Sequence, residues 1–237
     1  MVMINDYSLL QPQYQTVDKK EQNIGYRQTF ESPVGPLVSQ PEFGRWISIN
    51  KTPSVIRNFF KPLPGLPFDG EYILKFPKGS EFVVLPNRVF NRGVIRLHCC
   101  RQAEPLENLE EYGVCWTVEN TLNEILASIR YGPKYQFEVS IDGINYEYLG
   151  INWNPGLNNF FSITMDLDNG FWHTYFHNAY GDKIRSEDLS INLKVRPEIS
   201  HMRIINSGCS ASYSIEIGIG KAVGTNEFGI NYGTEET

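Results

Sequence analysis

The chain has 237 residues, of which 41% are hydrophobic and 20% charged, and its net charge is −6. That length supports one sizeable core without disulfides or metals. The negative balance supplies no positive field for nucleic acid or an anionic membrane, and no apolar run approaches the roughly 20 residues of a spanning helix. Aromatic residues at 13%, with 20 Gly and 14 Pro, favour an all-β architecture over a coiled coil, a collagen-like repeat or a disordered acidic chain.

Residues 1–69 read as an extended, Pro-rich arm with one strand. Met1-Val2-Met3-Ile4-Asn5-Asp6-Tyr7 has neither the basic nor the apolar region of a secretory signal, so synthesis in the cytoplasm without a signal peptide is expected. Pro33, Pro36, Pro41, Pro53, Pro62, Pro64 and Pro67 interrupt the chain, because Pro lacks the N–H that a central strand donates. Only Arg45-Trp46-Ile47-Ser48-Ile49-Asn50 has strand character. The arm nevertheless carries Tyr7, Leu9, Leu10, Tyr14, Phe30, Phe43, Phe59 and Phe60, large apolar groups that need a surface to cover and are the expected partner contacts.

Residues 70–223 read as an antiparallel β-sandwich or jelly roll with one short helix. Glu71 to Phe76, a Pro77-Lys78-Gly79 turn and Glu81 to Leu85 suggest a hairpin. Further strand candidates are 93–98, 114–118, 134–141, 146–149, 160–165, 189–195, 201–205 and 212–219. Tyr135 to Ile141 and Tyr213 to Ile217 alternate apolar and polar residues, as half-buried strands do. Thr121 as cap, Glu124 three residues later and the stripe Leu122, Ile125, Leu126 and Ile129 predict a helix that Gly132-Pro133 ends. Residues 171–180 fit either a helical stripe or a strand. The preceding Asp168-Asn169-Gly170 favours a hairpin with Phe161 to Met165. Residues 224–237, rich in Gly, Asn and Glu, read as a flexible acidic tail.

No catalytic set emerges. Cys99, Cys100, Cys115 and Cys209 have neither zinc-ribbon nor C-x-x-C spacing and read as buried thiols. His173 and His177 lack a third metal ligand, and Asp166 to Gly170 fits a hairpin turn or, completed by backbone carbonyls, a calcium loop. Neither a nucleophile elbow nor a phosphate loop is present. Glu138 and Glu216 are the carboxylates that would serve a glycan-acting hydrolase, but outward Glu residues are ordinary on half-exposed strands. The sequence therefore calls for no metal, no cofactor and no enzyme activity. Glycan recognition has a better basis, because aromatic faces pack on sugar C–H groups while amides fix hydroxyls. Trp153, flanked by Asn152 and Asn154, is the leading candidate, with Tyr146, Tyr148 and Trp172 as neighbours.

Val139-Ser140-Ile141-Asp142-Gly143-Ile144-Asn145-Tyr146 resembles the discoidin-type, galactose-binding-like β-sandwich, in which a strand often ends in Ser-x-Asp-Gly before an aromatic. Met202 to Gly208 and Tyr213 to Ile217 are similar to the last strands of that family. The resemblance implies glycan or lipid binding through variable loops and transfers no binding residue.

Together these readings point to a non-catalytic structural or assembly protein whose partners are other subunits, such as a phage head-decoration or tail protein in a virion. A carbohydrate-binding module or adhesin that contacts surface glycan is the alternative, and a glycan-acting hydrolase ranks last. Neither nucleic acid nor a membrane is an expected partner.

Overall fold

Strands dominate because apolar residues recur at every second position and opposing strands satisfy the backbone groups that such segments expose. The computed structural model describes residues 24–28, 35–36, 45–51, 54–57, 72–86, 89–192, 196–213 and 217–221. In chain order the strands are β1 (Ile24–Gln28), β2 (Gly35–Pro36), β3 (Arg45–Asn50), β4 (Ser54–Arg57), β5 (Tyr72–Phe76), β6 (Glu81–Leu85), β7 (Val94–Ala103), β8 (Val114–Glu119) and β9 (Ile125–Tyr131). They continue as β10 (Gln136–Ser140), β11 (Glu147–Asn152), β12 (Asn158–Asp166), β13 (Phe171–His177), β14 (Lys183–Arg185), β15 (Leu189–Ser190), β16 (His201–Asn206), β17 (Ala211–Tyr213) and β18 (Ile217–Lys221).

Two antiparallel sheets form a sandwich. One has 7 strands in the order β11-β10-β9-β8-β16-β6-β3. The other has 11 and runs β14-β13-β12-β7-β17-β5-β4-β2, with β15 against β13 and with β18 linking β7 to β1. Aromatic side chains fill the space between the sheets. Trp116 meets Phe161 edge-on at 4.6 Å, and Phe137 stacks on Phe176 at 4.0 Å. Each pair joins a strand of one sheet to a strand of the other.

The predicted helix at 121–129 is absent. Asn120 Oδ1 accepts hydrogen bonds from the Leu122 and Glu124 amides at 2.9 and 3.0 Å, which makes 120–124 a tight turn. The expected capping residue Thr121 donates its hydroxyl to Glu198 instead. Beyond the turn, β9 lies between β8 and β10, with Ala127, Ile129 and Tyr131 in the core and Ser128 and Arg130 on the opposite face. The segment thus carries a period of two as well as a helical stripe. Pairing on both edges, a long-range effect, selects the strand.

The hairpin expected from β5 and β6 is also not formed. β5 pairs with β4 and β17, whereas β6 pairs with β3 and β16 in the other sheet. Residues 77–80 therefore form a corner between sheets. Asn206 holds it, accepting from the Gly79 amide at 2.8 Å and donating its own amide to the Ser80 carbonyl at 2.9 Å. Phe76 and Phe82 stack at 4.1 Å across the corner.

The 171–180 ambiguity resolves as the favoured hairpin. β12 and β13 pair from Phe160↔His177 to Asp166↔Phe171. Asp166 Oδ1 accepts from the Asp168 and Asn169 amides at 3.1 and 2.9 Å, and Oδ2 accepts from the Asn169 side chain at 2.8 Å. The turn itself thus engages the carboxylate that a calcium loop would use. Among the described residues of 1–69, β1, β2 and β4 accompany the expected strand at 45–50, and together they join both sheets. The arm residues Tyr7, Leu9, Leu10, Tyr14, Phe30, Phe43, Phe59 and Phe60, and the tail from 224 onward, lie outside the described residues. Cys115 and Cys209 are buried thiols; the side chains of Cys99 and Cys100 lie outside the description.

Candidate functional site

At one end of the sandwich, where β11 passes β14, an open groove of about 460 Å³ is lined by Tyr148, Gly150, Ile151, Asn152, Asn154, Asn178, Tyr180, Asp182, Lys183 and Ile184. Its size is within the range of small-ligand sites. Three of the residues singled out from sequence meet here: Tyr148, Asn152 and Asn154.

The rim is built by asparagines that replace missing backbone partners. After β13, Asn178 is buried and its Oδ1 accepts from the Tyr180 and Asp182 amides, both at 3.0 Å. Its backbone N–H donates to the Asp182 carbonyl at 3.0 Å and its carbonyl accepts from Gly181 at 3.1 Å. This closed turn thrusts Tyr180 outward, leaving it 76% exposed. Asn154 ties the turn to the neighbouring loop, its Oδ1 accepting from the Ala179 amide at 3.0 Å. Fully buried Asn159 fixes Asn154 in turn, with Oδ1 accepting from the Asn154 amide at 3.0 Å and Nδ2 donating to its carbonyl at 2.9 Å.

The Asn178 Nδ2 group joins the two walls. It donates to Asp182 Oδ2 at 3.0 Å on one side and to the Asn152 carbonyl at 3.3 Å on the other. On β11, Tyr148 is 45% exposed and its hydroxyl donates to Asn152 Oδ1 at 2.9 Å. Among the described residues nothing hydrogen-bonds the Asn152 amide NH₂ or Asp182 Oδ1, so one donor group and one acceptor remain open. Two tyrosine rings, an amide and a carboxylate thus surround the same space.

The remaining sequence candidates lie elsewhere. Trp153, the leading glycan candidate, instead belongs to the core: it is 1% exposed, stacks on Tyr131 at 4.8 Å and directs Nε1 to the Gly132 carbonyl at 3.4 Å. Its neighbours Asn152 and Asn154 line the groove while the indole, just past the end of β11, is buried. Trp172 is fully buried in the core. Tyr146 packs over the second face of the 7-stranded sheet, with its hydroxyl 2.6 Å from Ser128 Oγ and its ring 3.7 Å from the Arg130 guanidinium carbon. Burial, then the Cys115 thiol, raises its phenol well above the usual tyrosine range. Sequence reasoning missed Asn178, Tyr180, Asp182 and Lys183. Asn178-Ala179-Tyr180-Gly181-Asp182 after a strand is a turn signature that would have located them.

The second face of the 7-stranded sheet also carries a buried ionic network. Glu119 accepts from Arg203 Nε at 2.9 Å, lies 2.8 Å from His201 Nε2 and accepts from the Thr117 hydroxyl at 2.5 Å. Arg203 also donates to Glu81 at 2.6 Å. Burial works to raise the Glu119 carboxyl, but His201 and Arg203 outweigh it and hold it at about 2. Farther along this face, Glu138 is 7% exposed and ion-paired with Arg130 at 2.5 Å. Both carboxylates are engaged within the protein rather than presented to a cleft. Glu216 lies outside the described residues.

No protein-family model matches the chain, and no curated protein matches it in sequence. Solved structures do match in shape. Lectin II from Ulex europaeus aligns with a TM-score of 0.50 at 8% identity, over 82% of this chain and 97% of its own. A carbohydrate esterase from the Shiga toxin-encoding bacteriophage phi24B aligns at 0.46 with 10% identity, over 80% of this chain and 100% of its own. A sialidase aligns at 0.49 with 7% identity over 71% of this chain, which spans only 17% of that enzyme. The chain is a β-sandwich of lectin-like fold. At these identities the likeness concerns fold; function must come from the site.

Proposed function

We propose that this protein is a non-catalytic glycan-binding module and that the groove between β11 and β14 is its binding site. The observation that carries this reading is the convergence of exposed Tyr148 and Tyr180 rings with the open hydrogen-bonding groups of Asn152 and Asp182. A tyrosine face covers sugar C–H groups, while the amide and carboxylate fix hydroxyls. Asn178 and Asn154 act as positioning residues that hold these groups before a ligand arrives, which reduces the ordering cost of binding. The lectin-like fold agrees with this reading. The engagement of Glu119 and Glu138 in ion pairs supports a binding role over hydrolysis.

A glycan array probed with the whole protein and with Tyr180→Ala tests the proposal. Tyr180 is so exposed that its removal should leave the thermal midpoint within about 1–2 °C. Array signals should fall at least about tenfold. Wild-type protein that binds no glycan, or binding that persists unchanged in the variant, refutes it.

The finer discoidin-type assignment is supported by the Ser140-Ile141-Asp142-Gly143 turn, where Asp142 Oδ1 accepts from the Ile144 and Asn145 amides at 2.8 and 2.9 Å. An assembly role, as a virion subunit, is supported by the large apolar residues of the Pro-rich stretches within 1–69 of the sequence. Such a role is compatible with glycan contact. Limited proteolysis of the isolated chain tests it: resistance of these segments in the monomer argues against a partner-dependent arm.

A further inference from the structure

We infer, building on the glycan reading above, that Gly150 is the specificity-determining position of the groove: a sugar ring lies directly on its bare backbone, and even a methyl group there obstructs the ligand. Gly150 lines the groove from within β11 and takes a left-handed φ of +82° in the middle of the strand. The pairing shows why. Tyr148 sits opposite Glu138 and Asn152 opposite Gln136, so Leu149, Gly150 and Ile151 together face the single residue Phe137. This bulge folds the extra residues out of the ladder. A glycine inside a strand marks such a bulge, or a place where another backbone or a ligand approaches closely. A Cβ added at Gly150 would meet no atom within 4 Å beyond its own chain neighbours. No second backbone therefore takes up the space beside it.

The surroundings make that space part of the groove. Ile151 is buried, whereas Tyr148, Gly150 and Asn152 are exposed. Tyr148 and Asn152 line the groove on either side of Gly150, and the 2.9 Å hydrogen bond between their side chains keeps both on one face. The shape also chooses the occupant. β11 and β14 are the outermost described strands of their sheets, where an extended peptide would add as a further strand. The bulge disrupts the regular row of backbone groups that strand addition needs. A compact ring resting on the glycine needs no such row, and the exposed Tyr148 ring beside it packs on sugar C–H groups.

A glycan array, followed by titration calorimetry with the glycans that bind, tests this on the whole protein and on Gly150→Ala, Gly150→Asn and Gly93→Ala. Gly93 is the matched control: it has the same φ of +82°, an added Cβ also meets nothing within 4 Å, and it lies outside the groove lining. Both alanine variants should lower the thermal midpoint by a similar amount, about 2–4 °C, because each forces a side chain into left-handed backbone. Only Gly150→Ala should lose affinity, by roughly 10- to 100-fold, while Gly93→Ala binds as the unchanged protein does. Asn tolerates the left-handed region, so Gly150→Asn should melt higher than Gly150→Ala yet bind still more weakly. Unchanged affinity in Gly150→Ala assigns the glycine to the bulge alone and overturns the inference, leaving the glycan site standing. Binding that recovers in Gly150→Asn along with the midpoint, or that falls equally in Gly93→Ala, overturns it as well. Wild-type protein that binds no glycan overturns both this inference and the proposed function.

Discussion

Replacing Glu119 with Gln tests the electrostatics of the sandwich directly. Folding lowers this carboxyl from an ordinary 4.5 to about 2, because the hydrogen bond and charge of His201 and the guanidinium of Arg203 outweigh the burial that opposes ionisation. A carboxyl with a lower folded than unfolded pKa stabilises the fold fully above the unfolded value. That contribution fades as pH falls toward the folded value. At 1.36 kcal/mol per unit, the contribution at pH 7 is on the order of 3 kcal/mol, and about 2 kcal/mol of it is gone by pH 3. Glu119→Gln also leaves the partly buried Arg203 with Glu81 as its remaining carboxylate, a change whose cost approaches the about 3–5 kcal/mol of breaking a fully buried pair. Urea denaturation of both proteins from pH 7 to pH 3 is the assay. The variant should be about 3 kcal/mol less stable at pH 7, with a thermal midpoint roughly 6–12 °C lower. The gap should narrow by about 2 kcal/mol at pH 3. A gap that stays constant across that range, or one below about 1 kcal/mol at pH 7, refutes the assigned role of the ion pair.

Trp153→Ala should destabilise the fold by about 3–5 kcal/mol in urea titrations, because it empties a core position stacked on Tyr131. A change below about 0.5 kcal/mol would instead indicate a surface tryptophan. Asn178→Ala should weaken glycan binding although its side chain need not touch the ligand, since it releases the Tyr180 turn and both groove walls. Hydrogen exchange at the Tyr180 and Asp182 amides should rise with the loss of affinity, which distinguishes positioning from direct contact. Gly143 and Gly170 both have φ near +75, at +72 and +75, but an added methyl would run into Ile125 Cδ1 at Gly143 and meets nothing at Gly170. Gly170→Ala should therefore cost about 1 kcal/mol and Gly143→Ala more, as measured by thermal melts.

The sandwich itself was legible because its signals are local. Clean alternation marked Tyr135 to Ile141, which contains β10, and Asp168-Asn169-Gly170 marked the β12–β13 turn. The helix expected at 121–129 shows where local signals conflict. Its stripe fits both periods, and Asn120 captures the amides that a helix would have organised. The corner at 77–80 carries ordinary turn residues, and which sheet each flanking strand joins depends on β16 and β17, more than 100 residues away. At the site, local composition identified Tyr148, Asn152 and Asn154. The sequence neighbour that looked strongest, Trp153, points the opposite way. Half the groove was missed because Asn178 to Lys183 is remote from that loop until β11 and β14 come together.

The sequence by itself determined the strand content, the apolar–polar alternation and the acidic balance of this protein, because each follows from adjacent residues and their side chains. Only the tertiary structure decided which strands share a sheet, which tryptophans are interior, and which polar groups remain open in the groove. Those outcomes depend on pairing and burial between distant segments, where one position along a strand separates the core from the solvent.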